Sequence, residues 1–332
     1  MGLRSIALCA PIALLAACGG GGSTSAPPTS GPTPTPSPTP TPSPTPSPTY
    51  TAFDDLTGDQ DFNAACAKGV SSDNMPNVIR FDQGFTFAFA AATETWTIAG
   101  EAPEGTINTS FAPSDIVQNT PGVLVLYQRP PVNAGGPNET FAFGTPQWPT
   151  LSAEYVRGAF LLTQLSNGSV ASYNCVFGVP TLLDDDLPAS TINYSAEIDA
   201  AGTLVVFEGQ NTTSYDLAPT TFSISADPNT GAVNLNLELQ GFEFSFDTNG
   251  NRVDSSDIIN FGSYTGSASV NDQEQAMIGE LTKTNAVSLS APLSGWFFGP
   301  QGDEIGIAIS GTEQRMDGST ITFSFGISAQ QD

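Results

Sequence analysis

The residues of this chain that could carry chemistry are few in kind. The stretch "SGWFFGPQGDEIGIAIS" (294–310) sets Asp303 and Glu304 side by side after a Gly-Pro-Gln-Gly run. Two carboxylates can hydrolyse a glycoside when they face each other across a cleft and one is held protonated. With 33 acids in the chain, candidates of this kind abound, and the pair alone assigns no catalytic residue. A second stretch, "DTNGNRVDSSD" (247–257), places Asp247, Asn249 and Asn251 at the offsets of an EF-hand loop. Arg252 and Ile258 stand where that loop needs Gly and Glu, so a hairpin turn is favoured over a calcium site. Asp184, Asp185 and Asp186 could offer oxygens to a hard cation, but adjacent acids point apart and such runs are commonly solvated loops. No metal site is assigned.

Other chemistry is excluded by what the chain lacks. There is no histidine, which removes a His-based triad, a His metal site and a His-ligated haem together. No Gly-x-Ser-x-Gly elbow is present. No cofactor is expected, and haem or iron as a ligand finds no His to hold it. What remains is aromatic: Trp96, Trp148 and Trp296 with seven tyrosines could stack on a sugar or flat ligand, or anchor a protein interface. Core packing would use the same residues.

Charge narrows the partners. Against 33 acids stand 8 bases, a formal charge of -25, so nucleic acid is excluded as a partner by repulsion from phosphate. Charged residues are only 12% of the chain, where roughly 25% is usual. Ser, Thr, Asn, Gln and Gly supply the polarity instead, a mixture suited to half-exposed strands and turns.

The elements that must position these groups are strands. Phe85, Phe87 and Phe89 alternate with small or polar residues, as do Val233, Leu235, Leu237 and Leu239, then Phe242, Phe244 and Phe246, and finally Ile321, Phe323, Phe325 and Ile327. Strict alternation predicts antiparallel strands with one buried face. "DPNTG" (227–231) and "DTNGN" (247–251) supply hairpin turns. Only "DFNAACAKGV" (61–70) suggests a short helix. Strand spacing is irregular and Pro-broken over 51–150 and regular over 151–332, which predicts an irregular β-rich domain followed by a β-barrel.

The N-terminus is an address. Residues 1–17 form a signal peptide with Arg4 ahead of a short apolar run. "LLAAC" resembles the bacterial lipobox, which makes Cys18 the lipidated first residue of the mature chain. Gly19 is not an inner-membrane retention aspartate, so the expected location is the outer membrane. Residues 18–50 are Gly/Ser- then Pro/Thr/Ser-rich, a disordered stalk with polyproline II character. With Cys9 lost and Cys18 lipidated, Cys66 and Cys175 remain in an oxidising compartment, where a disulfide or two free thiols are the alternatives.

The opening stretch also carries a family resemblance. "GWFFGPQGDEIGIAISG" resembles the final-hairpin signature of the transferrin-binding protein B β-barrel family at Gly295, Phe297, Phe298, Gly299, Pro300, Glu304 and Gly306. Gly302 stands where that family usually has Ala, and Ile307 replaces a second Gly. Weaker echoes lie at 187–196 and 261–270, so the likeness covers about 150–330. It implies an all-β protein with an eight-stranded antiparallel β-barrel preceded by an irregular β-rich handle domain. It further implies a lipid-anchored surface protein that binds a host or environmental protein or an iron- or haem-related solute, with an outer-membrane transporter as a candidate partner. One handle and one barrel make half of a two-lobed transferrin receptor. The alternatives are a structural or adhesive surface module and a carboxylate-dependent polysaccharide hydrolase. In this frame Asp303-Glu304 caps a turn rather than cleaving anything.

Overall fold

The computed structural model describes residues 48–332 apart from 71–74, 82, 132–135, 148–151, 166, 186, 197–199, 249–250 and 272–274. Cys18, the expected lipidation site, most of the expected stalk, Trp148, Asp186 and Asn249 therefore lie outside the described residues. The fold is all-β, with two sheets.

The first sheet comprises β1 (Gln60–Lys68), β2 (Val78–Ile79), β3 (Phe85–Ala90), β4 (Thr95–Ala102), β5 (Gly105–Phe111), β6 (Ile116–Thr120), β7 (Leu124–Arg129), β8 (Glu139–Gly144), β9 (Val156–Gln164) and β10 (Val170–Gly178). Its order is β5-β4-β3-β1-β10-β9-β8-β7-β6, with β2 beside β1. The sheet curls around its own aromatic core, in which Phe62, Phe87, Trp96, Phe141 and Phe177 pack. Arg129 on β7 reaches across to β5, donating to the Ser110 carbonyl at 2.8 Å and the Thr109 hydroxyl at 2.9 Å. Buried Glu139 holds that guanidinium in place. Burial opposes the charge of Glu139, yet hydrogen bonds from Thr163, Gln164 and Arg129 keep its pKa below the ordinary value. Side chains thus bridge β7 and β5.

Two sequence expectations are corrected here. Residues 61–68 form the central strand β1, not a helix. Their small residues serve two faces at once: Ala64 and Cys66 join the aromatic core, while Ala65 and Ala67 pack toward the second sheet. Such a doubly buried strand shows no clean period of two. The division between sheets also falls between residues 178 and 192, not near 150, because β9 and β10 pair with β8 and β1. Alternation fixes the face of a strand but not its neighbour.

The second sheet holds β11 (Ile192–Ala196), β12 (Ala200–Glu208), β13 (Asn211–Asp216), β14 (Thr221–Asp227), β15 (Ala232–Phe246), β16 (Arg252–Asn271), β17 (Ala276–Thr282), β18 (Ser288–Ser290), β19 (Pro292–Phe298), β20 (Glu304–Gln314) and β21 (Thr320–Gln331). β11 with β12, β13 with β14, and β18 with β19 are broken single staves, so the eleven strands make eight staves. β21 pairs with β20 on one edge and with β11 and β12 on the other, closing an antiparallel barrel. The register turns Leu235, Leu237, Leu293, Phe297, Ile305, Ile307, Ile309, Phe323 and Phe325 inward, all buried. Eight staves leave an interior just wide enough for side chains to fill, so this barrel is a packed core.

The outward face of β19–β21 is buried too. Gly306, Ala308, Ser310 and Ser324 are small, which lets β1 and β10 lie close against the barrel wall. Asn174 donates to the Ser324 carbonyl and hydroxyl at 3.1 and 2.9 Å, and Ser310 donates to the Lys68 carbonyl at 3.2 Å. These contacts satisfy polar groups that burial would otherwise strand.

Candidate binding surfaces

The Asp303-Glu304 pair sits at a junction rather than in a cleft. Gly299 and Gln301 have φ of 73° and 54°, and Pro300 between them lets the chain reverse from β19 into β20. A side chain at Gly299 would need a left-handed backbone and would also strike the Tyr155 ring. Glu304 points out of the barrel and is 0% exposed. Its carboxylate accepts backbone N–H groups from Glu154 at 2.6 Å, Tyr155 at 3.0 Å and Val156 at 2.6 Å. Those residues lead into β9, so the glutamate of the barrel hairpin clamps the first sheet and not its own turn. Burial lifts its pKa to about 7, with the three N–H donors pulling it back toward the ordinary range. Asp303 is raised as well, again chiefly by burial. Perturbed carboxylates invite a catalytic reading. Here Glu304 is sealed from solvent and its oxygens are engaged, so no substrate can approach it.

Other residues of the motif join the same junction. The Phe297 carbonyl accepts from Thr181 N at 2.9 Å, and Thr181 Oγ1 donates to the Gly299 carbonyl at 2.6 Å. Phe298 packs edge-on against Phe81, and Gly306 lies within van der Waals reach of Val156 and Val176. Gly295 faces Ile307 across the ladder, where a side chain would meet the Gly306 carbonyl. Tyr50, at the start of the described chain, donates to Asp185 Oδ2 at 2.9 Å. The same oxygen accepts Gln301 N at 2.6 Å. The chain therefore enters the fold at the barrel end that carries the 299–303 turn.

Cys66 and Cys175 lie opposite each other on β1 and β10, and their sulfurs are bonded. Trp296 is buried between the barrel wall and Phe81, donating Nε1–H to the Thr181 carbonyl at 3.2 Å. Trp96 lines one end of the curled first sheet, in a cleft of about 400 Å³ walled by Phe53, Phe89, Tyr127 and Phe143 with Glu94 at its rim. Trp96 stacks on Phe62 there and lies tilted against Phe89 and Phe143. Asp247 turns back on its own hairpin, accepting Asn251 N at 2.8 Å. Among the described residues no three acids or cysteines are grouped to hold a metal.

The barrel's opposite end differs. There the carboxylate of Glu313 takes the Lys283 ammonium at 2.9 Å and the Tyr264 hydroxyl, closing the packed interior with a buried ionic plug. Burial, then Glu313, pushes the Tyr264 pKa up. Beyond this plug, β15 and β16 continue as a ribbon, flanked by β13 at Phe242–Phe244, whose residues 251–260 are all exposed. Phe246, Val253, Ile258 and Ile259 are 66, 51, 54 and 40% exposed. The sequence reading missed this surface because it took Phe242, Phe244 and Phe246 as one buried face. The usable signal was "RVDSSDIIN", where β16 loses alternation while its partner keeps it.

No protein-family model matches the chain, and no curated protein sequence matches it. In structure it is similar to Transferrin Binding Protein B. A double mutant of that vaccine antigen from Haemophilus parasuis aligns at 15% identity and a TM-score of 0.42, covering 81% of this chain and 45% of the other. A single mutant from the same organism gives 13%, 0.34, 86% and 77%. The isotype 1 protein of serogroup B Neisseria meningitidis gives 9%, 0.21, 83% and 77%. This chain thus spans less than half the length of the first of these.

Proposed function

We propose that the protein is an outer-membrane lipoprotein, anchored through Cys18 and facing the cell exterior, that binds a protein or an iron- or haem-related solute on its outer surface. The observation that carries this reading is the opposition of the two barrel ends. Tyr50 docks the tether side at the 299–303 turn, while the exposed apolar ribbon lies at the other end. Exposed apolar residues gathered on one feature, rather than scattered singly, mark interaction sites. A filled barrel has no lumen for a solute, which favours recognition by an outer face. If the ligand is a solute, an outer-membrane transporter is the partner that would receive it. The test uses the lipidated protein on cells, titrated with haemin and with a panel of iron-carrying proteins that includes transferrin. Saturable binding of one of these, with Cys18→Ala shifting the protein out of the membrane fraction, is the expected result. A Cys18→Ala protein that stays membrane-bound, or no binding across the panel, overturns it.

A further inference from the structure

We propose that the outer edge of β16 over Arg252–Asn260 takes up an extended, basic segment of a partner protein as an added strand. The inference names a partner class for the surface-binding reading above and rests on it. Four observations lead there.

First, the edge is open. β16 pairs with β15 over 252–254, 258–260 and 262–269, with 255–257 outside the register, but with β17 only from Thr265 to Asn271. Among the described residues no strand covers the other edge at 252–260. On either side of 255–257, where the Asp257 N–H is taken by Ser255 Oγ, such an edge presents unpaired N–H and C=O groups, the template used in strand addition.

Second, the edge is apolar as well as open. Val253, Ile258 and Ile259 are exposed on β16, and Phe246 is exposed beside them on β15. Pockets between such side chains are what give an added strand its specificity.

Third, charge selects the occupant. From Glu238 to Asn260 stand Glu238, Glu243, Asp247, Asp254 and Asp257 against the single base Arg252. That base is already committed, to Asp216 and Asp254 at 2.6 Å each and over the Phe244 ring at 4.4 Å. Asp254 is tied to that base, Glu238 accepts from Asn260 and Asp247 from Asn251, which leaves Glu243 and Asp257 foremost to meet Lys or Arg on the incoming strand. A second copy of this chain, at a formal charge of -25, would bring the same acids to the same edge. Like charges directly opposite destabilise a strand pair.

Fourth, the chain's own stalk is a poor occupant. It has Pro at alternate positions from 32 to 48 and so lacks an N–H at every second residue. Its folded end, at Tyr50, is also fixed at the opposite end of the barrel.

The experiment uses the full mature lipoprotein in detergent micelles and three fluorescent probes of twelve residues. One alternates Val and Lys, one alternates Pro and Lys, and one alternates Val and Glu. The Pro/Lys probe keeps the charge but is held near φ of about −65°, away from the antiparallel strand value of about −140° that a regular ladder uses. We expect the Val/Lys probe to bind about tenfold or more tighter than either control. Amide hydrogen exchange should slow at 252–260 when it binds. Asp254→Lys with Asp257→Lys should remove that preference without changing the melting temperature by more than a few degrees. Equal binding of Val/Lys and Pro/Lys would show attraction by charge alone and overturn the proposal. Protection mapped elsewhere, absence of binding, or a dimer of the chain that dissociates on ribbon substitution would overturn it too. Haemin and iron-protein titrations of the unsubstituted protein separate the two readings. If one of those binds while the Val/Lys probe does not, the strand-addition inference falls and the surface-binding reading stands.

Discussion

At the scale of single residues, Glu304 is tightly constrained. Three backbone donors converge on one buried carboxylate, and they belong to a segment nearly 150 residues away in sequence. Removing the acceptor strands those donors inside the fold. Glu304→Ala should therefore cost about 2–4 kcal/mol, seen as a lower urea midpoint. Glu304→Gln retains an acceptor oxygen and should cost less. The pH dependence follows from burial. A folded pKa raised from 4.5 to about 7 means the native state holds its proton more tightly than the unfolded chain does. The stabilisation is complete below pH 4.5 and is lost as pH rises through about 7. Between pH 5 and 8 the wild type should lose up to about 3 kcal/mol more than Glu304→Gln, which has no proton to release. Parallel slopes for the two proteins would count against this account.

At the scale of elements, much of the architecture is legible in the sequence. Inward positions on β15, β20 and β21 alternate plainly because one face of each meets the barrel interior. The turns at 227–231 and 247–251 announce themselves through Gly and Asn. Two features were not legible, for physical reasons. β1 is buried on both faces, so its small residues mimic a helix. The register of β9 and β10 depends on partners that alternation does not name. The 295–306 motif likewise marks a hairpin, but its glycines record what lies outside the barrel. A Cβ at Gly306 would sit 3.0 Å from Phe298 and Val176 and 3.1 Å from Val156. Gly306→Leu should wedge β20 away from β9 and β10, at about 1–3 kcal/mol or more, with Gly306→Ala intermediate. Urea denaturation of the two variants checks the ordering. If leucine were tolerated as well as alanine, the close approach of sheet and barrel would not be the reason for the glycine.

At the scale of the whole molecule, the fold sets the 299–303 turn, where Tyr50 docks, and the exposed ribbon of β15 and β16 at opposite ends of the barrel. The strands that link them are long: β16 alone has 20 residues, about 65 Å of extended chain at 3.3 Å per residue. The proposed lipid at Cys18 and display to the exterior would leave the ribbon accessible from outside the cell. That arrangement can be tested with a single thiol. Cys9 would leave with the signal, Cys18 would carry lipid, and Cys66 is bonded to Cys175, so a cysteine placed at exposed Thr248 would be the one free thiol of the mature protein. Intact cells carrying Thr248→Cys should react with a membrane-impermeant maleimide as fully as cells whose outer membrane has been opened. Display into the periplasm predicts the reverse, labelling only after permeabilisation, because the same domain on the same stalk would then stand behind the outer membrane. The orientation of the ribbon relative to the lipid is common to both cases, so the labelling pattern reads out the side of the membrane alone.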